Sequence, residues 1–154
     1  MIITVDSNIL ISVFSRDSLY EKSTGLLEKY SSHEYIINDC IYLELGVCFP
    51  SLKLLDASLN TLEISLVEKY ERNYGETVSA WEKYLKKKKF VCPSCGKVIN
   101  PICPHCKHKL SFRQRILTDF FIAGFASANS NGIITLDPIY YKNYFPQLKI
   151  FELN

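Results

Sequence analysis

The sequence predicts an α/β sandwich built on a mostly parallel sheet. Three observations carry this. Short apolar strands alternate with helical segments in the order β-α-α-β-α-α-α, then a cysteine-rich insert, then α-β-α-β. Two of the strands run directly into an aspartate, the place where open parallel sheets put their sites. Hydrophobic residues are 47% of 154 and charged residues 22%, enough to bury a core and to exclude a disordered chain.

Ile2-Ile3-Thr4-Val5 is a short buried strand ending at Asp6. Asn8 to Phe14 reads as a first helix. Ser18 to Tyr30 is amphipathic, with Leu19, Leu26, Leu27 and Tyr30 on one side. Tyr35-Ile36-Ile37 is a second strand. Asn38 or Asp39 caps a helix from Cys40 to Phe49, which Pro50 stops. Leu52, Leu55, Leu59, Leu62, Leu66 and Tyr70 recur three or four apart and predict one helix from Ser51 to about Arg72. Asn73-Tyr74-Gly75 breaks it, and Glu76 to Lys87 is a further helix. After the cysteine-rich insert, Thr118 caps a helix reaching Ala128. Asn131-Gly132 is a turn into the strand Ile133-Ile134-Thr135-Leu136, which ends at Asp137. Pro138 to Tyr144 is a short helix or turn, and Leu148 to Phe151 a last strand.

The charge is strongly segregated. Ten basic residues lie between Lys83 and Arg115 with no Asp or Glu among them: Lys83, Lys86, Lys87, Lys88, Lys89, Lys97, Lys107, Lys109, Arg113 and Arg115. Eight basic residues therefore face all sixteen acidic ones in the remainder. An acidic body with one basic segment predicts an anionic partner, nucleic acid first, although a lysine run also makes a plain solvated face. Tyr84, Phe90 and Phe112 could stack on bases or pack in the core. No run of eighteen apolar residues exists, so no membrane span is expected. The opening Met1-Ile2-Ile3-Thr4-Val5-Asp6 lacks a basic leader region, so a cytoplasmic protein is expected.

Four of the six cysteines form two C-P-x-C pairs, Cys92 with Cys95 and Cys103 with Cys106. Two such turns complete a tetrahedral four-sulfur site, so structural Zn2+ is the expectation, with iron or redox pairs as the other uses of the same sulfurs. The spacer between the pairs is shorter than the about 15–20 residues of common zinc ribbons, which leaves room only for a minimal hairpin. His105 and His108 could substitute as ligands. Cys40 and Cys48, set among apolar residues, read as core thiols. The domain reading is one domain, 1–154, interrupted by a zinc knuckle or ribbon at 90–109. That module could staple a long loop or hold RNA.

Four acids sit in apolar contexts where a lone carboxylate is costly: Asp6, Glu44, Asp119 and Asp137. Singly, Asp6 and Asp119 could cap helices, Glu44 could face solvent, and Asp137 before Pro138 could open a turn. Together they would need a cation, and oxygen ligands suit Mg2+ or Mn2+.

The four segments in this order resemble the PIN-domain nucleases. The matching residues are a strand into Asp6-Ser7-Asn8, the helical Glu44, Asp119 opening an alanine-containing apolar helix, and a strand into Thr135-Leu136-Asp137. The match covers about residues 1–82 and 110–154. The resemblance implies a three-layer α/β/α fold and Mg2+- or Mn2+-dependent cleavage of single-stranded or loop RNA, leaving 5′-phosphate and 3′-hydroxyl ends. It implies that Asp6, Glu44, Asp119 and Asp137 hold the ion, with Ser7, Asn8 and Thr135 supporting them. Lys86 to Lys89, Lys97, Lys107, Lys109, Arg113 and Arg115 would then contact RNA. The family includes VapC-type toxins paired with antitoxins and a ribosome-assembly endonuclease, so RNA, an antitoxin and a ribosomal particle are the expected classes of partner. Exposed Leu and Tyr on the Ser51–Tyr70 segment would also suit a homodimer. Two features depart from the pattern. Ile139 stands where many members carry a further acid, which leaves a second ion weakly held or absent, and the cysteine module interrupts the domain. A non-catalytic RNA- or protein-binding module on a PIN-like scaffold is the alternative.

Overall fold

The computed structural model describes residues 1–87, 89, 92, 95–109 and 116–153. Its elements are β1 (Ile2–Val5), α1 (Ser7–Ser15), α2 (Tyr20–Lys29), β2 (Glu34–Ile37), α3 (Asp39–Gly46), α4 (Leu52–Thr61), β3 (Ile64–Leu66), α5 (Tyr74–Lys87), α6 (Leu117–Asn129), β4 (Ile133–Ile134), α7 (Pro138–Tyr144) and β5 (Ile150–Phe151). The five strands form one all-parallel sheet in the order β3-β2-β1-β4-β5, flanked by helices. Ile3, Val5, Ile37, Ile133 and Ile134 are fully buried, as expected for strands covered on both faces. Among the described residues, no helix is long and apolar enough to cross a membrane.

The predicted helix from Ser51 to Arg72 is not one helix. Its first part is α4, started by the Ser51 hydroxyl, which accepts from the Leu54 N–H at 3.4 Å. Glu63 then takes a left-handed backbone, φ +54°, which a right-handed helix cannot pass through. Beyond it the apolar spacing shortens to two. Ile64 and Leu66 lie on β3, and Tyr35 pairs with Ile64 across the sheet. The helical period of Leu62, Leu66 and Tyr70 was therefore a coincidence of leucine placement, and the sheet gains a fifth strand from it.

Smaller differences follow from local capping. Asn38, not Asp39, caps α3, its Oδ1 accepting from the Ile41 N–H at 3.1 Å. Helix α3 ends at Gly46, which leaves Cys48 exposed and not in the core, while Cys40 packs half-buried against it. Helix α6 starts at Leu117, and Asp119, not Thr118, satisfies its first turn by accepting from the Ile116 N–H at 3.1 Å.

Helices α5 and α6 meet at Gly124. A Cβ on Gly124 would collide with the Thr77 hydroxyl, which itself bonds the Asn73 carbonyl at 2.7 Å. Gly124→Ala is expected to lower stability by about 1–3 kcal/mol, despite the better helix propensity of alanine. Gly124→Ala combined with Thr77→Ser should recover little, because the hydroxyl remains. Urea denaturation of the two variants reads both outcomes.

Candidate active site

The sheet order reverses between β1 and β4. The chain leaves β1 for β2 on one side and later returns to β4 on the other. In open parallel sheets, the crevice beyond the strands' carboxyl ends at such a reversal is where ligands bind. Asp6 follows β1 there, and Thr135 and Asp137 follow β4.

Asp6 is the most buried of the four acids, at 6% exposure, and its hydrogen bonds cross the reversal point. Its Oδ2 accepts from Thr135 Oγ1 at 2.7 Å, Asn8 Nδ2 at 2.8 Å and Tyr141 Oη at 3.1 Å. Its Oδ1 has a long contact with the Ser7 hydroxyl at 3.5 Å. Asn8 also donates to Thr135 Oγ1 at 3.1 Å and accepts from the Leu136 N–H at 3.0 Å. Thr135 Oγ1 in turn accepts from the Asp137 N–H at 3.0 Å. One hydroxyl and one amide thus stitch the β1–α1 turn to the β4–α7 turn.

These donors are all neutral, so they orient the Asp6 charge without cancelling it. The carboxyl is held at a pKa of about 6, raised from 3.8. Burial is the largest cause; the hydrogen bonds from Thr135 and Tyr141 pull it back down, and the charges of Asp119 and Glu44 push it up. Asp6, Asp119 and Glu44 therefore share one electrostatic neighbourhood. Glu44 also raises the Cys40 thiol, after burial as the main cause. Asp119 is half-buried on the first turn of α6, and Glu44 half-buried on α3. Asp137 also caps α7, its Oδ1 accepting from the Tyr140 N–H at 3.3 Å. It joins Asp6 through Thr135.

The donor set fits a hard divalent cation. It offers carboxylate oxygens, a buried charge with neutral partners, and like charges that a cation would relieve. The oxygens are not drawn into one shell, however. Among the described residues, no three His, Cys, Asp or Glu side chains gather closely enough to hold an ion. Beside them, an open cleft of about 360 Å³ is lined by Cys40, Leu117, Thr118 and Phe121, between the helices that carry Glu44 and Asp119.

Tyr141 was not legible as a site residue. It sits in an apolar, tyrosine-rich helix with nothing to mark which ring turns inward, yet it is buried against Asp6. Asn38 is a second such residue. The register of β2 on β1 brings it level with Asp6, and its buried Nδ2 has no hydrogen-bond partner among the described residues.

The basic segment is only partly free. Lys83 turns onto α7, donating to the Asn143 carbonyl at 2.6 Å, and Tyr84 is buried beside Trp81 and Phe120 as a core ring. Lys107 bonds its own turn at the Pro104 carbonyl, 2.9 Å. Lys86, Lys89, Lys97, Lys107 and Lys109 are exposed. Lys88, Phe90, Phe112, Arg113 and Arg115 lie outside the described residues, as does the side chain of Lys87.

No family model matches the sequence, and no curated protein matches it. Solved structures do. VapBC2 from Rickettsia felis, bound to a DNA fragment from their promoter, aligns over 100% of this chain and 100% of that chain, with a TM-score of 0.57 and 15% identity. VapBC-1 from nontypeable Haemophilus influenzae aligns over 99% and 98%, with a TM-score of 0.53 and 17% identity. The fold is PIN-like. At these identities the likeness concerns the arrangement of strands and helices, and the chemistry rests on this chain's own residues.

Proposed function

We propose that this protein is a PIN-type endoribonuclease that uses Mg2+ or Mn2+ to hydrolyse single-stranded or loop RNA. The observation that carries it is Asp6: a buried carboxylate at the point where the sheet order reverses, held by three neutral donors, with Asp119 and Glu44 close enough to raise its pKa. Maintaining that charge is costly unless a cation is to be bound.

Asp6, Glu44 and Asp119 would hold the ion, with Asp137 reaching it from the α7 cap. A bound Mg2+ or Mn2+ lowers the pKa of a water and offsets charge on the phosphate. The chain supplies the positioning. Asn8, Thr135 and Tyr141 fix Asp6 through Oδ2, so Oδ1, which has only the long Ser7 contact, is the oxygen that would be offered to an ion. The cleft between α3 and α6 offers Phe121 as an apolar wall for a base beside the carboxylates. Exposed Lys97, Lys107 and Lys109 place positive charge on the insert, where they would hold the RNA backbone by its phosphates. An antitoxin is the protein partner this reading favours, because both structural neighbours are VapBC assemblies.

End-labelled single-stranded and stem-loop RNA, incubated with Mn2+ or Mg2+ and with EDTA, tests the proposal. Cutting should need the metal and fall at least 100-fold in Glu44→Gln and in Asp119→Asn. RNA binding that weakens steeply with salt but never leads to cutting would instead make the chain a binding module on a PIN-like scaffold.

A further inference from the structure

The insert between α5 and α6 contains two turns with one backbone geometry. In the first, the Cys92 N–H donates to the Lys97 carbonyl at 2.9 Å and the Gly96 N–H to the Cys92 carbonyl at 2.8 Å. In the second, the Cys103 N–H donates to the His108 carbonyl at 2.9 Å and the Lys107 N–H to the Cys103 carbonyl at 3.0 Å. Each residue of the second turn lies eleven positions after its counterpart in the first. Both turns close on a left-handed residue, Gly96 at φ +69° and Lys107 at φ +60°. Glycine takes that conformation freely, whereas a lysine does so at a cost of roughly 1–2 kcal/mol. The repeated shape is thus retained at the second turn against the local preference of its residue.

Among its described residues, what keeps this segment folded is not an apolar core. Val98, Ile99 and Ile102 are exposed, and none of the described residues from 89 to 109 belongs to the hydrophobic core of the body. Among the described residues of the segment, one isolated antiparallel bridge, Ile102 to Lys109, accompanies the two turns. Twenty residues of this kind need a cross-link or a metal to hold one conformation. A turn of this type also gathers N–H groups around its first sulfur. The N–H groups of Cys106 and His105 both bond the Cys103 sulfur.

We propose that Cys92, Cys95, Cys103 and Cys106 are a four-sulfur site for one Zn2+, with each turn contributing one pair. The repeat selects the ligands. His105 and His108 stand opposite Ser94 and Lys97 of the first turn, so the matched positions that can bind a metal are the four cysteines. Among the described residues no three such side chains lie close enough together to hold an ion, so the site would be completed only by metal binding, as in small metal-dependent folds. The site is independent of the nuclease reading, because it shares no residue with the carboxylate centre.

The test is metal analysis of the purified full chain. One zinc per chain is expected. It should be lost in Cys92→Ser/Cys95→Ser and in Cys103→Ser/Cys106→Ser, and retained in Cys40→Ser/Cys48→Ser. Cobalt exchanged into the wild type should show the thiolate charge-transfer and d–d absorption of a tetrahedral four-sulfur site, which settles the ligands even if a serine variant fails to fold. Chelation should leave the far-UV circular dichroism of the body almost unchanged, since none of the segment's described residues belongs to its core. Zinc absent, iron in its place, or disulfides within the pairs would each overturn the proposal, whatever the RNA assay shows.

Discussion

Asp6→Asn is expected to abolish metal-dependent cleavage and, in metal-free buffer at neutral pH, to make the protein more stable. The two effects have one cause. The folded pKa of Asp6, about 6, lies above the 3.8 of the unconstrained group, so the folded state binds the proton more tightly than the unfolded one. The stability this gives is fully present below pH 3.8 and is lost as pH rises through about 6. Two pKa units correspond to about 3 kcal/mol, so the ionised side chain costs roughly that much at pH 7. Asparagine keeps the shape and an oxygen for Thr135, Asn8 and Tyr141, and carries no charge to desolvate. The wild type without metal should therefore lose stability between pH 4 and pH 7 relative to Asp6→Asn. Mn2+ should restore the wild type and leave the variant unchanged. Thermal unfolding across that pH range, with and without Mn2+, measures both. Equal pH slopes for the two proteins would show that Asp6 is not a strained buried charge.

Phe120→Ala is expected to cost about 3–5 kcal/mol, a large share of the 5–15 kcal/mol that holds a domain of this size together. The ring is fully buried and is the hub of an aromatic cluster. Its centroid lies 5.0 Å from Trp81, 5.3 Å from Tyr140, 5.5 Å from Tyr84 and 5.6 Å from Tyr144, mostly edge-on or tilted. These rings come from α5, α6 and α7, and no single neighbour can collapse into the space a lost phenyl leaves. Urea denaturation should show a lower midpoint with an unchanged slope. Because Phe120 follows Asp119 directly, cleavage should fall as well, while Phe120→Leu should keep most of the stability and more of the activity. A loss below 1 kcal/mol would mean that the cluster repacks.

How much of this was readable beforehand depended on the range of the interaction. β1 and β4 were plain, because short isoleucine-rich runs bounded by aspartate have few other uses. The four acids could be picked out as carboxylates in apolar surroundings, and Asn8 and Thr135 as their supports, because they stand next to Asp6 and Asp137 in the chain. The Ser51–Arg72 segment misled because leucine spacing is the same evidence for a helix up to Leu62 and for a strand after it. Only Glu63, turned into the left-handed region, separates the two. Tyr141 was invisible for a related reason. Three tyrosines, Tyr140, Tyr141 and Tyr144, crowd α7, and which hydroxyl meets Asp6 depends on how that helix docks on the sheet.

The sequence by itself determined the α/β alternation, the segregation of charge, the paired cysteine turns and the identity of the candidate carboxylates, all set by local pattern and side-chain chemistry. The tertiary structure alone decided the strand order that puts Asp6 at the reversal of the sheet, the closeness of Asp119 and Glu44 to it, and the standing of Asp137 as a cap joined through Thr135. Those outcomes depend on packing between elements far apart in the chain, Asp6 and Glu44 by 38 residues and Asp6 and Asp119 by 113, where burial and contact, and not local propensity, set the energy.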